Sequence, residues 1–311
     1  MKPSENNPEK PLLLSGATAL PPTFVDRESE RRRLREGILN GESLVIEGPP
    51  GIGKTALLSE VIRSLPGELA ARCLCVAGAR DFQDLLRRLI RALYEAEEPR
   101  LRTQLHRVGV SSLRFASWLK ELPASRLRGT LYRAVEGGGY RVFLDHLPPL
   151  TQAAAKVIKE LFWMRRTPMY LVPQAGAERS IARFDRFFYW GDRELLILGP
   201  LPRQAAKDLL ESCIERFHLS QFDLTGFREE ALELSKHVPG AITKMCALAA
   251  SPKYQYGSQI KIKSAYIDYL MTGHQLTAPL RVTNSRRGGE AKPARASSGS
   301  PALRQREPHP R

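Results

Sequence analysis

The sequence predicts an α/β fold in which a parallel five-stranded sheet lies between helices and is followed by a small all-helical domain. Short apolar runs alternate with longer segments of helical period up to residue 199, as in parallel sheets whose strands are joined by helices. Only helical periods follow Gly199. The chain has 311 residues, of which 42% are hydrophobic, and this is enough apolar material for both parts.

Five apolar runs of four to six residues predict the strands of the sheet. They cover residues 43–47, 72–77, 140–144, 169–172 and 194–198. Apolar residues at helical spacing predict the helices before, between and after these strands. These helical segments cover residues 26–39, 54–65, 82–93, 99–139, 153–164, 203–217, 227–237, 241–249 and 260–271.

These elements divide the chain into two folded parts with an unstructured segment at each end. Residues 21–199 form the sheet domain and residues 200–272 the helical domain, which we call the lid. Residues 1–20 and 273–311 have too few apolar residues to fold, so we expect them to be disordered. From residue 277 onward, eight Lys and Arg residues against two Glu residues give the tail a charge of +6.

The whole chain is basic, with 48 Lys and Arg residues against 33 Asp and Glu residues and a net charge of +15. This charge attracts polyanions such as nucleic acid, anionic lipid or phosphorylated ligands, and does not choose among them. No stretch approaches the roughly 20 apolar residues of a membrane-spanning helix, and the start lacks a signal-peptide pattern. The four cysteines have no metal-binding spacing and predict buried, reduced thiols. We therefore expect a cytoplasmic protein that does not enter a membrane.

Residues 48–55, Gly-Pro-Pro-Gly-Ile-Gly-Lys-Thr, match the phosphate-binding P-loop or Walker A pattern GxxxxGK[ST], between a predicted strand and a predicted helix. Glycines let successive N–H groups face phosphate oxygens, and the following helix adds its positive dipole end. Lys54 is predicted to reach the β- and γ-phosphates of ATP, and the Thr55 hydroxyl to bind Mg²⁺. The predicted nucleotide contacts in the loop are Gly48, Pro49, Pro50, Gly51, Ile52, Gly53, Lys54, Thr55 and Ala56.

Asp145 follows the apolar strand at residues 140–144, which is the Walker B pattern of a carboxylate that holds Mg²⁺. Many ATPases of this kind place Glu or Asp at the next position, where it deprotonates the attacking water. This chain has His146 there. His146 is either the catalytic base or a neighbour that does no chemistry. Nucleotide binding is therefore a firmer prediction than fast hydrolysis.

Phe24-Val25-Asp26-Arg27-Glu28 resembles the "FVGRE"-type segment of the AAA+ and STAND ATPases, especially their archaeal ATPase and origin-recognition-like bacterial branches. It has Asp26 where Gly is usual. The resemblance implies that Val25 contacts the adenine. Residues 238–240, Val-Pro-Gly, are similar to the lid turn that approaches the nucleotide, although the order of Gly and Pro differs. By this resemblance, Pro239 also contacts the nucleotide.

The same resemblance implies further polar residues around the phosphates. Gln174, which follows the predicted fourth core strand, is the candidate for sensing the γ-phosphate. Lys244 is a candidate second sensor. Arg179, Arg183 and Arg186 either include an arginine finger or face solvent on a helix.

Three functions remain open at this point. The favoured one is an ATP- and Mg²⁺-dependent switch in which ATP closes the lid on the sheet domain. The second is a DNA-associated ATPase similar to transposition helpers, which holds the phosphate backbone through the basic surface and tail. The third is a P-loop small-molecule kinase. ATP or ADP is the expected ligand, and the further candidate partners are DNA, a second copy of the chain and another protein.

Overall fold

The structure is a computed structural model that describes residues 24–148, 151–174 and 194–271. The chain divides into two compact units, Met1–Thr277 and Ala278–Arg311, and every described residue belongs to the first unit. The predicted leader and tail, and Arg179, Arg183 and Arg186, lie outside the described residues. Within the described ranges, no helix combines the length and apolar character needed to cross a membrane.

Five parallel strands form the sheet and confirm the predicted fold class. The strands are β1 (Leu44–Glu47), β2 (Cys73–Ala77), β3 (Arg141–Leu147), β4 (Met169–Pro173) and β5 (Glu194–Ile197). Their spatial order is β2-β3-β4-β1-β5. Because all five are parallel, the carboxyl ends of β3, β4 and β1 lie side by side at one edge of the sheet.

Helices before and between the strands cover the two faces of the sheet. They are α1 (Glu28–Asn40), α2 (Lys54–Arg63), α3 (Gly67–Ala70), α4 (Phe82–Glu95), α5 (Pro99–Arg107), α6 (Phe115–Glu121), α7 (Ala124–Val135) and α8 (Gln152–Arg165). The helix predicted over residues 26–39 starts two residues later, because Asp26 and Arg27 have φ of 61° and 68°. The stretch at residues 99–139 contains three α-helices with bounds that helical period alone did not predict.

The alternation of side chains along each strand divides the core into two apolar layers. On β1, Leu44 and Ile46 pack in the layer beneath α1 and α2, whereas Val45 packs in the layer beneath α4 and α7. The rings of Phe143 and Tyr170, from adjacent strands, stack at a centroid distance of 4.4 Å in the first layer. The sheet is therefore buried on both faces, which explains why its strands are continuous apolar runs.

The lid follows β5 and has an apolar core of its own. Its helices are α9 (Arg203–Arg216), α10 (Phe227–Ser235), α11 (Pro239–Ala249) and α12 (Ile262–Met271). Helix α10 ends before the predicted residue 237, because Lys236 and His237 have φ of 51° and 60°. Two strands of two residues each, β6 (Gln255–Tyr256) and β7 (Gln259–Ile260), pair before α12 and are too short to produce a sequence period.

Candidate functional site

The P-loop connects the carboxyl end of β1 to the amino end of α2. Gly48, Gly51 and Gly53 have φ of 149°, 75° and 100°, which side chains other than glycine rarely adopt. A Cβ atom at Gly48 would also lie 2.7 Å from the carbonyl oxygen of Leu198. The amine of Lys54 donates hydrogen bonds to the carbonyls of Gly48, at 2.6 Å, and Pro49, at 3.1 Å. The lysine therefore lies within the curve of the loop, where the phosphate group is predicted.

Thr55, at the start of α2, contacts the acidic residue predicted for the metal. Its hydroxyl donates a hydrogen bond of 2.7 Å to Oδ2 of Asp145, on β3. Asp145 is only 2% exposed, and its Oδ1 accepts a hydrogen bond of 2.8 Å from the backbone N–H of His146. The fold thus brings the two predicted metal ligands together from positions 90 residues apart in the sequence.

His146 and Gln174 meet beside this pair. Nδ1 of His146 lies 3.2 Å from Oδ1 of Asp145, and the imidazole side chain remains 60% exposed. The hydrogen bond to Asp145 raises the pKa of His146, although partial burial and the charge of Lys54 act in the opposite direction. The side-chain amide of Gln174 donates a hydrogen bond of 3.0 Å to the backbone carbonyl of His146. The residues predicted as base and sensor therefore occupy neighbouring strand ends.

A cavity of about 650 Å³ lies over the P-loop and is enclosed by the sheet domain and the lid. The predicted residues that line it are Val25, Pro50, Gly51, Ile52, Gly53, Lys54, Thr55, Ala56, His146, Gln174, Pro239 and Lys244. Gly48, Pro49 and Asp145 are not part of the lining. They lie next to it, and Lys54 and Thr55 connect them to the cavity through hydrogen bonds.

Arg27 has a positioning role that the sequence analysis did not predict. Its buried guanidinium donates to the carbonyl of Ile52 in the P-loop, at 3.0 Å, and to that of Gly199 before the lid, at 2.8 Å. It also forms an ion pair of 3.2 Å with Glu30. Burial lowers the pKa of Arg27, and the nearby Glu30 opposes this shift. Arg27 therefore joins the start of the domain, the P-loop and the sheet–lid junction.

The lid touches the P-loop through two glycines. The backbone N–H of Gly240, at the start of α11, donates a hydrogen bond of 2.8 Å to the carbonyl of Gly51. A Cβ atom at Gly240 would lie 2.8 Å from Cα of Gly51, so the contact requires glycine. The sequence predicted a role for Pro239 and none for Gly240. A glycine directly after the proline of a helix's first turn was the feature that could have indicated the close contact.

The donor set at this site fits a hard cation held together with a phosphate group. Thr55 and Asp145 offer a hydroxyl and a carboxylate oxygen, the ligand types that Mg²⁺ prefers. Among the residues that the structure describes, no group of three or more His, Cys, Asp or Glu side chains could hold a metal alone. Mg²⁺ commonly binds through one or two protein oxygens and the phosphates of a nucleotide, which is the arrangement these residues allow.

Comparisons with known proteins identify the family and support the fold. The sequence pattern of the family described as AAA ATPase domain matches residues 23–221. No curated protein matches the sequence significantly. Among solved structures, the Walker-type ATPase of Pyrococcus abyssi has a TM-score of 0.54 and 13% identity, over 80% of this chain and 74% of that chain. This likeness supports the fold.

Two further solved structures are similar at lower TM-scores. The Orc1 protein of Aeropyrum pernix in complex with DNA has a TM-score of 0.49 and 19% identity, over 80% of this chain and 66% of that chain. The RuvB Holliday junction branch migration motor of Thermotoga maritima has a TM-score of 0.43 and 14% identity, over 80% of this chain and 70% of that chain.

Proposed function

Because the chain belongs to the AAA ATPase domain family, we propose that it binds ATP together with Mg²⁺ in the cavity over the P-loop and hydrolyses it. The observation that carries this proposal is the hydrogen bond between Thr55 and Asp145 beneath that cavity. This pair offers a hydroxyl and a buried carboxylate, which are oxygen ligands of the kinds that Mg²⁺ takes together with the β- and γ-phosphates.

The loop and its lysine bind the triphosphate. The phosphate oxygens accept hydrogen bonds from backbone N–H groups at the amino end of α2, which begins at Lys54. On binding, the amine of Lys54 exchanges its two loop carbonyls for phosphate oxygens, which are stronger, charged acceptors. Bound Mg²⁺ offsets negative charge on the phosphates, and Thr55 and Asp145 are the residues that hold it.

The remaining cavity wall accommodates the base and ribose. Apolar side chains from both parts of the chain, Val25, Leu201, Leu209 and Tyr269, line this wall. A nucleotide bound here contacts the sheet domain and the lid at once, so its binding favours whichever arrangement of the two parts makes both sets of contacts. The bond from Gly240 to Gly51 is one direct contact between those parts. These contacts support a nucleotide-driven conformational switch.

We assign hydrolysis a low rate. The position after Asp145, where a carboxylate would take a proton from water, carries His146 with its ring against Asp145. Gln174, bonded to the carbonyl of His146, lies where it can contact the γ-phosphate.

Calorimetric titration with Mg-ATP tests the proposal. Replacing Lys54 by Ala removes the ammonium group at the phosphates, so we expect binding to be lost. Lys156→Ala, which removes an exposed lysine of α8 outside the cavity, is the matched control and should bind like wild type. Wild-type affinity in Lys54→Ala would contradict the proposed site.

A second candidate function is contact with nucleic acid through its phosphate backbone. The net charge of +15 favours it, since such binding depends on cations rather than on base-reading side chains. ATP turnover measured with and without DNA tests whether the two functions are coupled.

A further inference from the structure

A second cavity, of about 800 Å³, lies between α4, α6 and the carboxyl end of β2, and it shares no lining residue with the nucleotide cavity. Five cations and two carboxylates line it, which leaves a net charge of +3. The cations are Arg80, Arg87, Arg88, Arg91 and Lys120, and the carboxylates are Asp84 and Glu95. We refer to this cavity as the arginine groove.

One of the two carboxylates is shared between two arginines. Oδ2 of Asp84 accepts a hydrogen bond of 3.0 Å from Nε of Arg88 and lies 3.5 Å from Nε of Arg80. Arg88 also donates to the carbonyl of Ala77 at 3.0 Å, which fixes its guanidinium at the end of β2. Arg80 is held less firmly, and its side chain is 83% exposed. The single carboxylate of Asp84 therefore balances only one of these two arginines, and the group keeps a net positive charge.

The other two arginines keep their charge without a carboxylate partner. Arg87 donates to the backbone carbonyls of Leu119 and Lys120, at 3.2 Å and 3.1 Å, and to the side chain of Gln83 at 3.1 Å. These acceptors are neutral. Arg91, one turn further along α4, is exposed, and no described residue forms a hydrogen bond or ion pair with it. A preformed cationic surface results, with Arg87 fixed and Arg91 able to reach a ligand.

The shape of the groove leaves these cations accessible to a long anion. The wall formed by α6 includes the exposed small residues Ala116 and Ser117, opposite Ala92 of α4. Small residues allow a chain to lie close to the guanidinium groups. No glycine is among the described residues that line the groove, whereas Gly51 and Gly53 of the P-loop line the nucleotide cavity. Its features suit a repeating phosphate chain better than a second nucleotide.

We propose that the arginine groove binds the phosphodiester backbone of nucleic acid. Guanidinium groups form paired hydrogen bonds with phosphate oxygens, so four arginines on one surface suit a chain of closely spaced phosphates. The lining contains no aromatic side chain on which a base could stack, and the contact is therefore independent of base sequence. This inference rests on the second candidate function and identifies the surface that carries it.

The test compares two doubly neutralised full-length variants in binding a short fluorescein-labelled DNA duplex, measured by anisotropy at several salt concentrations. Arg80→Gln with Arg91→Gln removes two exposed groove cations. Arg32→Gln with Arg35→Gln removes two exposed cations of α1, outside the groove, and is the control of equal charge. Both variants keep the C-terminal tail and the residues of the nucleotide site, so both should bind Mg-ATP like wild type.

Each lost phosphate contact lowers the slope of log K against log salt concentration by about 0.9. For the groove variant we expect a slope shallower by about 1.8, so that its loss of affinity is about tenfold larger at roughly 50 mM than at 200 mM salt. The control should keep the wild-type slope.

Equal losses in the two variants would mean that diffuse charge binds the DNA, and would overturn the groove. Absence of DNA binding in wild type would overturn both the groove and the second candidate function, and Mg-ATP titration of the same samples would still report on the first. Groove-dependent binding of polyglutamate in place of DNA would reassign the groove to an acidic peptide and overturn the proposal.

Discussion

The backbone N–H of Gly240 in the lid donates a hydrogen bond of 2.8 Å to the carbonyl of Gly51 in the P-loop. The two backbones approach so closely that a side chain at Gly240 would contact both Cα and the carbonyl oxygen of Gly51, at 2.8 Å and 2.9 Å. The lid is thus bonded directly to the P-loop, and substitution of Gly240 by a residue with a side chain tests this contact.

Gly240→Ala should separate the lid from the P-loop. The added methyl group meets backbone atoms that cannot rotate away, so we expect the free energy of unfolding to fall by about 1–3 kcal/mol. Affinity for Mg-ATP should fall as well. Urea unfolding and calorimetric titration measure the two effects. Gly129→Ala, in the interior of α7 with no atom within 4 Å of the new Cβ, is the control and should be stabilising by about 0.5–1 kcal/mol. If Gly240→Ala were as stable as wild type, the two backbones would be able to move apart at little cost in free energy.

Thr55→Val should lower both the free energy of unfolding and the affinity for ATP in the presence of Mg²⁺. The substitution keeps the shape of the side chain and removes the hydroxyl that donates to buried Asp145, so we expect a loss of about 1–3 kcal/mol in the free energy of unfolding. Thr55→Ser keeps the hydroxyl and should retain Mg²⁺-dependent ATP binding. If Val and Ser behaved alike in titrations with and without Mg²⁺, the hydroxyl would have no role in holding the metal.

Arg27→Lys should lower the free energy of unfolding, although it keeps the positive charge. A lysine amine cannot reproduce the forked guanidinium that reaches Ile52, Gly199 and Glu30 together, so at least one buried acceptor loses its partner. We expect a loss of about 2 kcal/mol in the free energy of unfolding, measured in urea. Arg63→Lys, on the exposed face of α2, is the matched control and should be close to neutral. If the two variants had the same free energy of unfolding, Arg27 would have no positioning role.

His146→Glu should raise the rate of ATP hydrolysis. It places a carboxylate where the attacking water needs a base, and general-base catalysis typically contributes 10²–10⁴-fold, so even partial alignment gives an increase of about tenfold in kcat. His146→Ala is the control. If the native imidazole is a neighbour without chemistry, His146→Ala should turn over at the wild-type rate, whereas a large loss in that variant would make His146 the base.

Much of the site was predictable because its chemistry depends on local sequence. The spacing of Gly48, Gly53, Lys54 and Thr55 fits a loop whose function lies in its own backbone and in the first turn of the next helix. Asp145 was identifiable because it follows the apolar run at residues 140–144, although β3 continues beyond it to Leu147. These predictions needed only the alternation of strands and helices.

Contacts between distant segments could not be predicted from the sequence. Arg27 belongs to a run of charged residues that resembles an exposed helical face, and only the left-handed backbone at residues 26 and 27 turns its guanidinium inward. Tyr269 lines the nucleotide cavity from the last described helix, and nothing in its local pattern marks it. The bounds of the helices within residues 99–139 also depended on tertiary packing.

The sequence by itself determined the fold class and predicted the P-loop and the carboxylate of Asp145 as the nucleotide and metal site, because each arises from short-range periodicity or from a motif whose geometry is local. Only the tertiary structure decided which lid residue touches the loop, that cations of α4 and α6 line one groove, and that the ring of His146 rests against Asp145. The contact between Gly240 and Gly51 joins residues far apart in the chain, and the orientation of a side chain such as that of His146 depends on its surroundings, so both follow from how the two apolar layers and the lid pack together.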